Sequence, residues 1–472
     1  MGEIYQNLSE IRKKFHRYPE RGWREFWTAA EICCHMEKFG FQLQYGRTLF
    51  QHDARINVPD AIELDRWFQK ALDRGADPKY LEPMKGGFCG VVGILDTGRT
   101  GPTFAYESEL DALPGVTEFE LSGLRSIMLE SQKPAHRPFV EGWISENEGI
   151  VHACGHDVHM TMALGLAEYI SLHRAEFSGK FVFFFTPAEE GGHGAKNFAA
   201  LPIVDEIDYY FAYHDAVKPV GGLMLVNQVY LRSIVQFLVT ITSSPPSSPD
   251  LAIFQKLGME FQMGNIKSQG EFITRYVKEL QATPKTYDLP IRATLQTITA
   301  FDNIPPRTDG FHEINIYELT QDYEKVRFKV NIRADNNDLT HYYVQHTKSL
   351  IAKIADLHQL GYTIEDIPLW SYPAWAGNDP MLAQLAKTIW HEMGLGDTVI
   401  DIPFGEMGTD DDVYLMNKIQ SHGGKCLYAI LVSDSKQGQI GELHTPSMDI
   451  DDRLLKVGVD LTINLIKTLL KK

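Results

Sequence analysis

The chain has no apolar run near the roughly eighteen residues that a membrane-spanning helix needs. Its aromatic-rich apolar stretch, Phe181-Val182-Phe183-Phe184-Phe185, is strand-sized. The opening residues, Met1-Gly2-Glu3-Ile4-Tyr5-Gln6, carry no apolar secretory core and no Ser or Thr at position 6 for myristoylation. Cysteine is scarce: five in 472 residues, an odd number that includes the adjacent Cys33 and Cys34, is no disulfide framework. Positive charge is in deficit. Forty-five Lys and Arg stand against 62 Asp and Glu, and the net −17 repels phosphate backbones and anionic lipid surfaces. These shortages argue against nucleic acid and membrane as partners and make the cytosol the expected compartment, where Cys154 stays available as a thiolate.

What is present reads as a folded chain of two or three domains, at roughly 150 residues per domain, with 44% hydrophobic residues and 23 prolines and 38 glycines spread along it. The densest chemistry lies in Val151-His152-Ala153-Cys154-Gly155-His156-Asp157-Val158-His159. A thiol, three imidazoles and a carboxylate beside a glycine suggest metal. Cys154 and His156 point the same way only if the backbone is extended or turning around Gly155. Val158, Met162, Leu166 and Ile170 then begin an apolar stripe of helical period, so the ligand candidates sit at a helix start. Any one of these residues would pass for a buried Cys or an ordinary surface His, and a site needs partners elsewhere.

Taken in order, Glu3 to about Phe39 predicts a helical hairpin broken at Pro19 and Gly22. Residues 53–84 predict an inserted helical segment without assigned chemistry. Strands are expected at Gly87 to Gly98 and Pro102 to Glu107, the second leading to Glu109 and Asp111. Lys180 to Thr186 reads as a strand buried on both faces and ends in Pro187-Ala188-Glu189-Glu190. Such paired carboxylates are costly in an apolar setting unless a cation neutralises them. Ile207 to Tyr213 is expected to deliver His214 at a strand end. Strand ends that each carry a ligand type describe an α/β sheet with one site along its edge.

Leu231 to Thr242 alternates as a strand, and Ser243-Ser244-Pro245-Pro246-Ser247-Ser248-Pro249-Asp250 is a loop. A helical run to about Leu280, β-type runs at Ile291 to Ala300, His312 to Leu319 and Val326 to Arg333, and a helix from Thr340 to Leu360 suggest an α+β domain with an antiparallel sheet. The expected division is 1–230, an inserted domain at 231–361, and a return to the first domain at 362–472. That last part predicts helices at Pro380 to Met393 and Asp411 to Ile419, the latter capped by Thr409 with Asp412, then a strand at Cys426 to Leu431, Gly441-Glu442-Leu443-His444, and a closing helix.

Suppose Cys154, His156, Glu190, His214 and His444 are ligands, and two divalent ions share Cys154 and a water. Each ion then counts four ligands, the tetrahedral number zinc prefers. Glu189, pointing away from Glu190 in an extended chain, could take a proton from that water. His152, Asp157 and His159 would be outer groups or surface residues, with the surface expected for His159.

His152-Ala153-Cys154-Gly155-His156-Asp157, Pro187-Ala188-Glu189-Glu190, His214 and His444 together resemble the co-catalytic metallopeptidase/amidohydrolase family of aminoacylases, G-type carboxypeptidases and indoleacetyl-amino-acid hydrolases. The resemblance implies a mixed-sheet α/β dinuclear metallohydrolase domain with an inserted α+β lid that pairs with a second subunit, as a homodimer or heterodimer. It implies two zinc or manganese ions on Cys154, His156, Glu190, His214 and His444, backed by Asp111 and Asp157. The implied reaction is cleavage of the amide of an N-acyl or N-aroyl amino acid, glutamate-like in its leaving group, by a metal-activated water with Glu189 as general base. Asn303 and Arg333 match lid positions that hold the substrate's carboxylate, a role suited to Arg geometry.

The chain departs from this family in its lid. A histidine normally found there in an Ala-His-Ala-like segment, where it binds the developing oxyanion, is replaced by Ser244-Pro245-Pro246-Ser247-Ser248. Losing one such donor typically costs ~10²–10³ in rate. The alternative reading is therefore a metal-binding but catalytically impaired partner protein, with His312, in the apparent insertion Arg307 to Glu324, as a candidate substitute. Glu109 also stands where the family usually has Asp. A third reading, Cys154 as a nucleophile, requires no metal.

Overall fold

Aromatic and β-branched runs place the deepest strands at the middle of one large sheet, in a computed structural model that describes residues 3–50, 53–114, 137–147, 149–218, 221–225, 231–242, 274–275, 278, 290–321, 325–396, 398–401, 409–434, 443–445 and 448–471. The strands in chain order are β1 (Gln42–Tyr45), β2 (Val91–Asp96), β3 (Thr103–Glu109), β4 (Leu113–Pro114), β5 (Ile150–Val151), β6 (Lys180–Thr186) and β7 (Tyr209–Lys218). They continue as β8 (Gly222–Leu225), β9 (Ser233–Thr242), β10 (His312–Gln321), β11 (Lys325–Ala334), β12 (Gly361–Tyr372), β13 (Val399–Asp401) and β14 (Lys425–Asp434). Among the described residues, eight of them form a mixed sheet in the order β1-β2-β6-β3-β7-β14-β8-β13. β3, β6, β7 and β14 run parallel, which explains why β6 is buried from Phe181 through Thr186. This is the mixed α/β architecture that the sequence predicts.

The expected helical hairpin forms as Leu8–Arg17 and Phe26–Lys38. Its first helix packs, with Arg453–Leu469, on helix His156–Leu172. At that junction Arg12 is 1% exposed and meets three carboxylates: Asp157 at 3.2 Å, Asp449 at 2.9 Å and Asp452 at 2.7 Å. Removing one partner of a buried ion network strands the others, at about 3–5 kcal/mol. Arg137 also sits on Asp449 and Asp452, so Arg12→Ala is expected near the lower end, about 3 kcal/mol, read as a drop in the urea midpoint. A midpoint equal to wild type would show that the network does not hold the three helices together.

A second core, centred on Phe237, Phe328, Val330 and Tyr343, lies under a four-stranded antiparallel sheet ordered β10-β11-β9-β12. The structure corrects the sequence reading here at two points. Pro290–Phe301 is a helix, not a strand. Proline suits a first helical turn, and the hydroxyls of Thr294 and Thr297 donate to the carbonyls of Pro290 and Ala293, four residues back, which reconciles a β-branched run with a helix. The sheet also passes the boundary expected at residue 361, because β12 pairs with β9 from Gly361 to Tyr372.

Elsewhere, residues 53–84 form the helices Ala61–Asp73 and Pro78–Leu81, capped by Asp60 and Asp77. Helix Val413–Ser421 starts after Asp412, whose side chain makes no capping bond, so the expected Thr409 cap does not form. Ser243 to Asp250, Gly441-Glu442 and most of the run to Leu280 fall outside the described residues. Among those described, no helix is long and apolar enough to cross a membrane.

One detail of the large sheet positions the site. β7 pairs with β3 only from Phe104–Tyr209 to Tyr106–Phe211, yet follows β14 as far as Lys218. Beyond Tyr106 and Phe211 the two strands part, and the gap is filled by side chains from both and from the start of helix His156–Leu172.

Candidate metal centre

Gly155 makes the turn between Cys154 and that helix. Its φ is +84°, and a Cβ there would lie 1.7 Å from Asp215 Oδ1, so no other residue fits without displacing the Asp215 side chain. The turn lets Cys154 and His156 face one space. β6 delivers Glu189 and Glu190 just past its end, through Ala188 in the left-handed region. His214 lies within β7, not at its end as expected, because the strand runs on to Lys218. His444 is brought in by its own backbone N–H, which donates to the Ala153 carbonyl at 2.7 Å.

The imidazoles point the same nitrogen inward. His156 Nδ1 meets the Asp111 carbonyl at 2.7 Å, and His214 Nδ1 meets the Asp215 carbonyl at 2.7 Å. Anchoring Nδ1 on a carbonyl fixes the tautomer that leaves Nε2 with a lone pair for a metal. His214 Nε2 stands 3.4 Å from Cys154 Sγ, and His444 Nε2 stands 3.2 Å from the same sulfur and 3.7 Å from Glu190 Oε1. Two donor triads result, Cys154-His156-His214 and Cys154-Glu190-His444, each with ligand atoms within 4.8 Å of one another and with Cys154 in common. Among the described residues, His156 Nε2 and Glu190 Oε1 are buried without a hydrogen-bond partner. Orphaned polar atoms in a buried thiol, imidazole and carboxylate set fit a divalent cation.

The electrostatics agree with that fit. Burial, then Glu190 and Asp410, push the Glu189 carboxyl well above its usual range, and burial and then Asp111 push Glu190 up to about 7 against the pull of His156. Burial, then Glu190 and Glu189, raise the Cys154 thiol. Although burial opposes a charge on His156, Asp111 and Glu109 push it up to about 10. Carboxylates held toward neutrality and an imidazole held toward charge describe a buried pocket with surplus negative charge, the condition a divalent cation relieves.

Asp111 receives the Glu189 and Glu190 amides at 3.0 and 3.1 Å. Asp157 instead receives Arg12 and His16 Nδ1. His159 is the main correction among these residues: it is 1% exposed, with Nδ1 2.7 Å from Glu109 and Nε2 3.0 Å from Asp215. Against burial, Glu109 and Asp215 hold it up at about 9, so it bridges the two acids in the strand gap. His152 is equally buried, and among the described residues neither of its ring nitrogens has a hydrogen-bond partner. The sequence reading also misses Asp410, Asp411 and Asp412, all buried, with Asp410 Oδ2 receiving the Tyr428 hydroxyl at 2.8 Å. Alternation along β7 carried the only signal for Asp215; three consecutive acids carried none.

The donors open onto a cavity of about 470 Å³ whose opposite wall is the face of the four-stranded sheet bearing Gln236, Asn331 and Arg333. Arg333 thus shares a cavity with Cys154 and Glu189. Asn303 does not: it is exposed after helix Pro290–Phe301, its amide donating to the Thr299 carbonyl at 3.4 Å. His312 stacks on Tyr343 at 3.7 Å and lines a different cavity, within the four-stranded module.

The chain is similar over almost its full length to characterised proteins. It is 25% identical to indole-3-acetyl-aspartic acid hydrolase of Enterobacter agglomerans, over 97% of this chain and 94% of that one. It is 26% identical to one of the subunits of p-aminobenzoyl-glutamate hydrolase of Escherichia coli (strain K12), over 98% and 95%; His16 to Phe26, Gly86 to Phe88 and Leu95 to Arg99 resemble that protein. Its fold matches a Bacillus subtilis protein described as a dinuclear metal binding peptidase, with a TM-score of 0.61, 16% identity, and 99% of each chain covered. Residues 108–468 match the model of peptidase family M20/M25/M40, and the chain belongs to that family of hydrolases.

Proposed function

We propose that this chain is a divalent-metal-dependent amidohydrolase that cleaves N-acyl or N-aroyl amino acids, with Glu189 as general base. The observation that carries the reading is the pair of donor triads sharing Cys154 beside a carboxylate, Glu189 Oε2, that lies 3.9 Å from His156 Nε2. Cys154, His156, Glu190, His214 and His444 would hold two ions, zinc by the softness of the thiolate, although imidazole and carboxylate also suit manganese. Bound there, such ions supply polarisation of an amide carbonyl and acidification of water. Glu189 takes a proton from the attacking water, holds it at a carboxylate whose burial favours the neutral form, and passes it to the leaving nitrogen. Two relatives are named for amides of aspartic acid and glutamate, which supports an acidic amino acid as leaving group.

Arg333, on the far wall of the cavity, binds the leaving group's carboxylate. Hydrogen bonds to charged groups are worth about 1.5–3 kcal/mol, so Arg333→Ala is expected to raise KM roughly 10- to 150-fold with a smaller change in kcat. A KM within twofold of wild type would remove Arg333 from substrate binding. The four-stranded module acts as the lid and pairs with a second subunit, as a homodimer or heterodimer, in keeping with a relative whose name makes it one part of a larger hydrolase, and the protein works in the cytosol. The rival, a partner protein without turnover, rests on the absence of histidine from Ser244 to Ser248.

The experiment is elemental analysis of the purified protein with a screen of acyl and aroyl amino acids before and after chelation. The proposal expects bound divalent metal and turnover that chelation abolishes and metal restores. Metal without turnover on any such amide would favour the rival; turnover indifferent to chelation would overturn both and leave Cys154 as the nucleophile to test.

A further inference from the structure

The stretch His16 to Phe26 has no task in the proposed chemistry, yet its turn packs directly on the turn carrying Glu189 and Glu190. A Cβ on Gly22 would lie 2.9 Å from Ala188 Cβ, and one on Gly192 would lie 2.8 Å from Trp23 Nε1. Two acids of the stretch are enclosed, Glu20 at 1% and Glu25 at 0% exposure. Local structure accounts for Glu20, whose carboxylate receives the Trp27 and Thr28 amides at 3.2 and 2.9 Å and so caps helix Phe26–Lys38. Glu25 occupies the cap position of that helix but makes no capping bond. Its Oε1 instead receives the Ala188 N–H at 2.8 Å, from 163 residues away.

Ala188 has φ 57° and ψ 43°, a left-handed conformation that a residue with a Cβ keeps only where its surroundings impose it. The next two amides, of Glu189 and Glu190, donate to the two oxygens of Asp111. Three successive N–H groups are therefore held by two buried carboxylates, one from the hairpin and one from the end of β3. Convergent amides of this kind make an anion-binding concavity, and here the protein's own side chains fill it. Burying a carboxylate is unfavourable without such partners, and the Ala188 amide is one that Glu25 gains from the turn.

We propose that Glu25 is a positioning residue: by holding the Ala188 amide it locks the left-handed turn that aims Glu189 into the cavity and Glu190 toward Cys154. The inference rests on Glu189 acting as the base. Misplacing a reacting group by about 1 Å costs on the order of 10² in rate, and that is the scale expected if the turn relaxes.

The test compares Glu25→Ala with Glu25→Gln in the full-length, metal-loaded protein, reading kcat, KM, metal content and amide hydrogen exchange of the peptide spanning 186–192. Glu25→Ala is expected to lower kcat about 10²-fold with KM within about threefold and metal retained, while that peptide exchanges faster. Glu25→Gln keeps an acceptor oxygen, and should recover kcat to within about fivefold and restore slow exchange. The proposal is overturned if Glu25→Ala leaves kcat or the exchange near wild type, if activity falls only in step with lost metal, or if Gln recovers neither readout. Glu189→Gln separates the two failures. Should it leave kcat intact, the base assignment is wrong, and exchange in Glu25→Ala still decides whether Glu25 holds the turn.

Discussion

Replacing Glu189 with Gln is expected to lower kcat by about 10²–10⁴-fold, the range for losing a positioned proton-transfer group, while metal content stays at the wild-type level. The reasoning is geometric. Glu189 lines the cavity and stands beside His156 Nε2, but belongs to neither triad that shares Cys154. The isosteric amide keeps the backbone bond from Glu189 N to Asp111 while removing the carboxylate's charge and its ability to exchange a proton. Because that ability is used between ground state and transition state, the loss should fall on kcat more than on KM. A variant retaining a tenth or more of wild-type kcat would exclude Glu189 as the base. One that loses metal along with activity would move it into the ligand set.

The second large effect concerns Cys154. Cys154→Ala withdraws a donor from both triads at once, whereas His214→Ala or His444→Ala would withdraw one from a single triad. Changing an outer partner of a ligand typically costs ~10–100-fold in metal affinity, and removing a shared donor should exceed that. The variant should therefore lose both metal equivalents on dialysis, together with all turnover, while helix His156–Leu172 stays folded. Cys154 is itself only 8% exposed and lines the cavity, so its Sγ can be removed without disturbing the helix that follows. Metal content by elemental analysis, with circular dichroism as the check on folding, distinguishes the outcomes. Retention of one full equivalent would mean that Cys154 serves one ion and not two.

Local pattern carries those parts of the site that lie at element boundaries. Cys154 and His156 flank a glycine at a helix start, and Glu189 and Glu190 follow an aromatic run that has few conformations open to it besides a buried strand. The mixed α/β class follows from the same runs. His159 could not be placed this way, because its partners Glu109 and Asp215 belong to β3 and β7, and the position looks like any polar residue in a first helical turn. Asp411 and Asp412 read as a cap or a solvated loop. They are buried because the Ala195 amide and the Tyr210 hydroxyl, both more than 200 residues earlier, come to meet them. Pro290–Phe301 misled for a different reason: β-branched residues signal strand until their hydroxyls are known to bond back along a helix.

The reach of the chain between donors has a consequence for how the protein is made. Cys154 and His444 are 290 residues apart, with the whole four-stranded module between them. At roughly 5–20 residues per second of synthesis, about 15–60 s separate the appearance of one donor from that of the other. During that interval a nascent chain can present Cys154, His156 and His214 but not the second triad. In the proposed site, synthesis therefore supplies the donors of the first triad before the four-stranded module and completes the second triad only when His444 has been made.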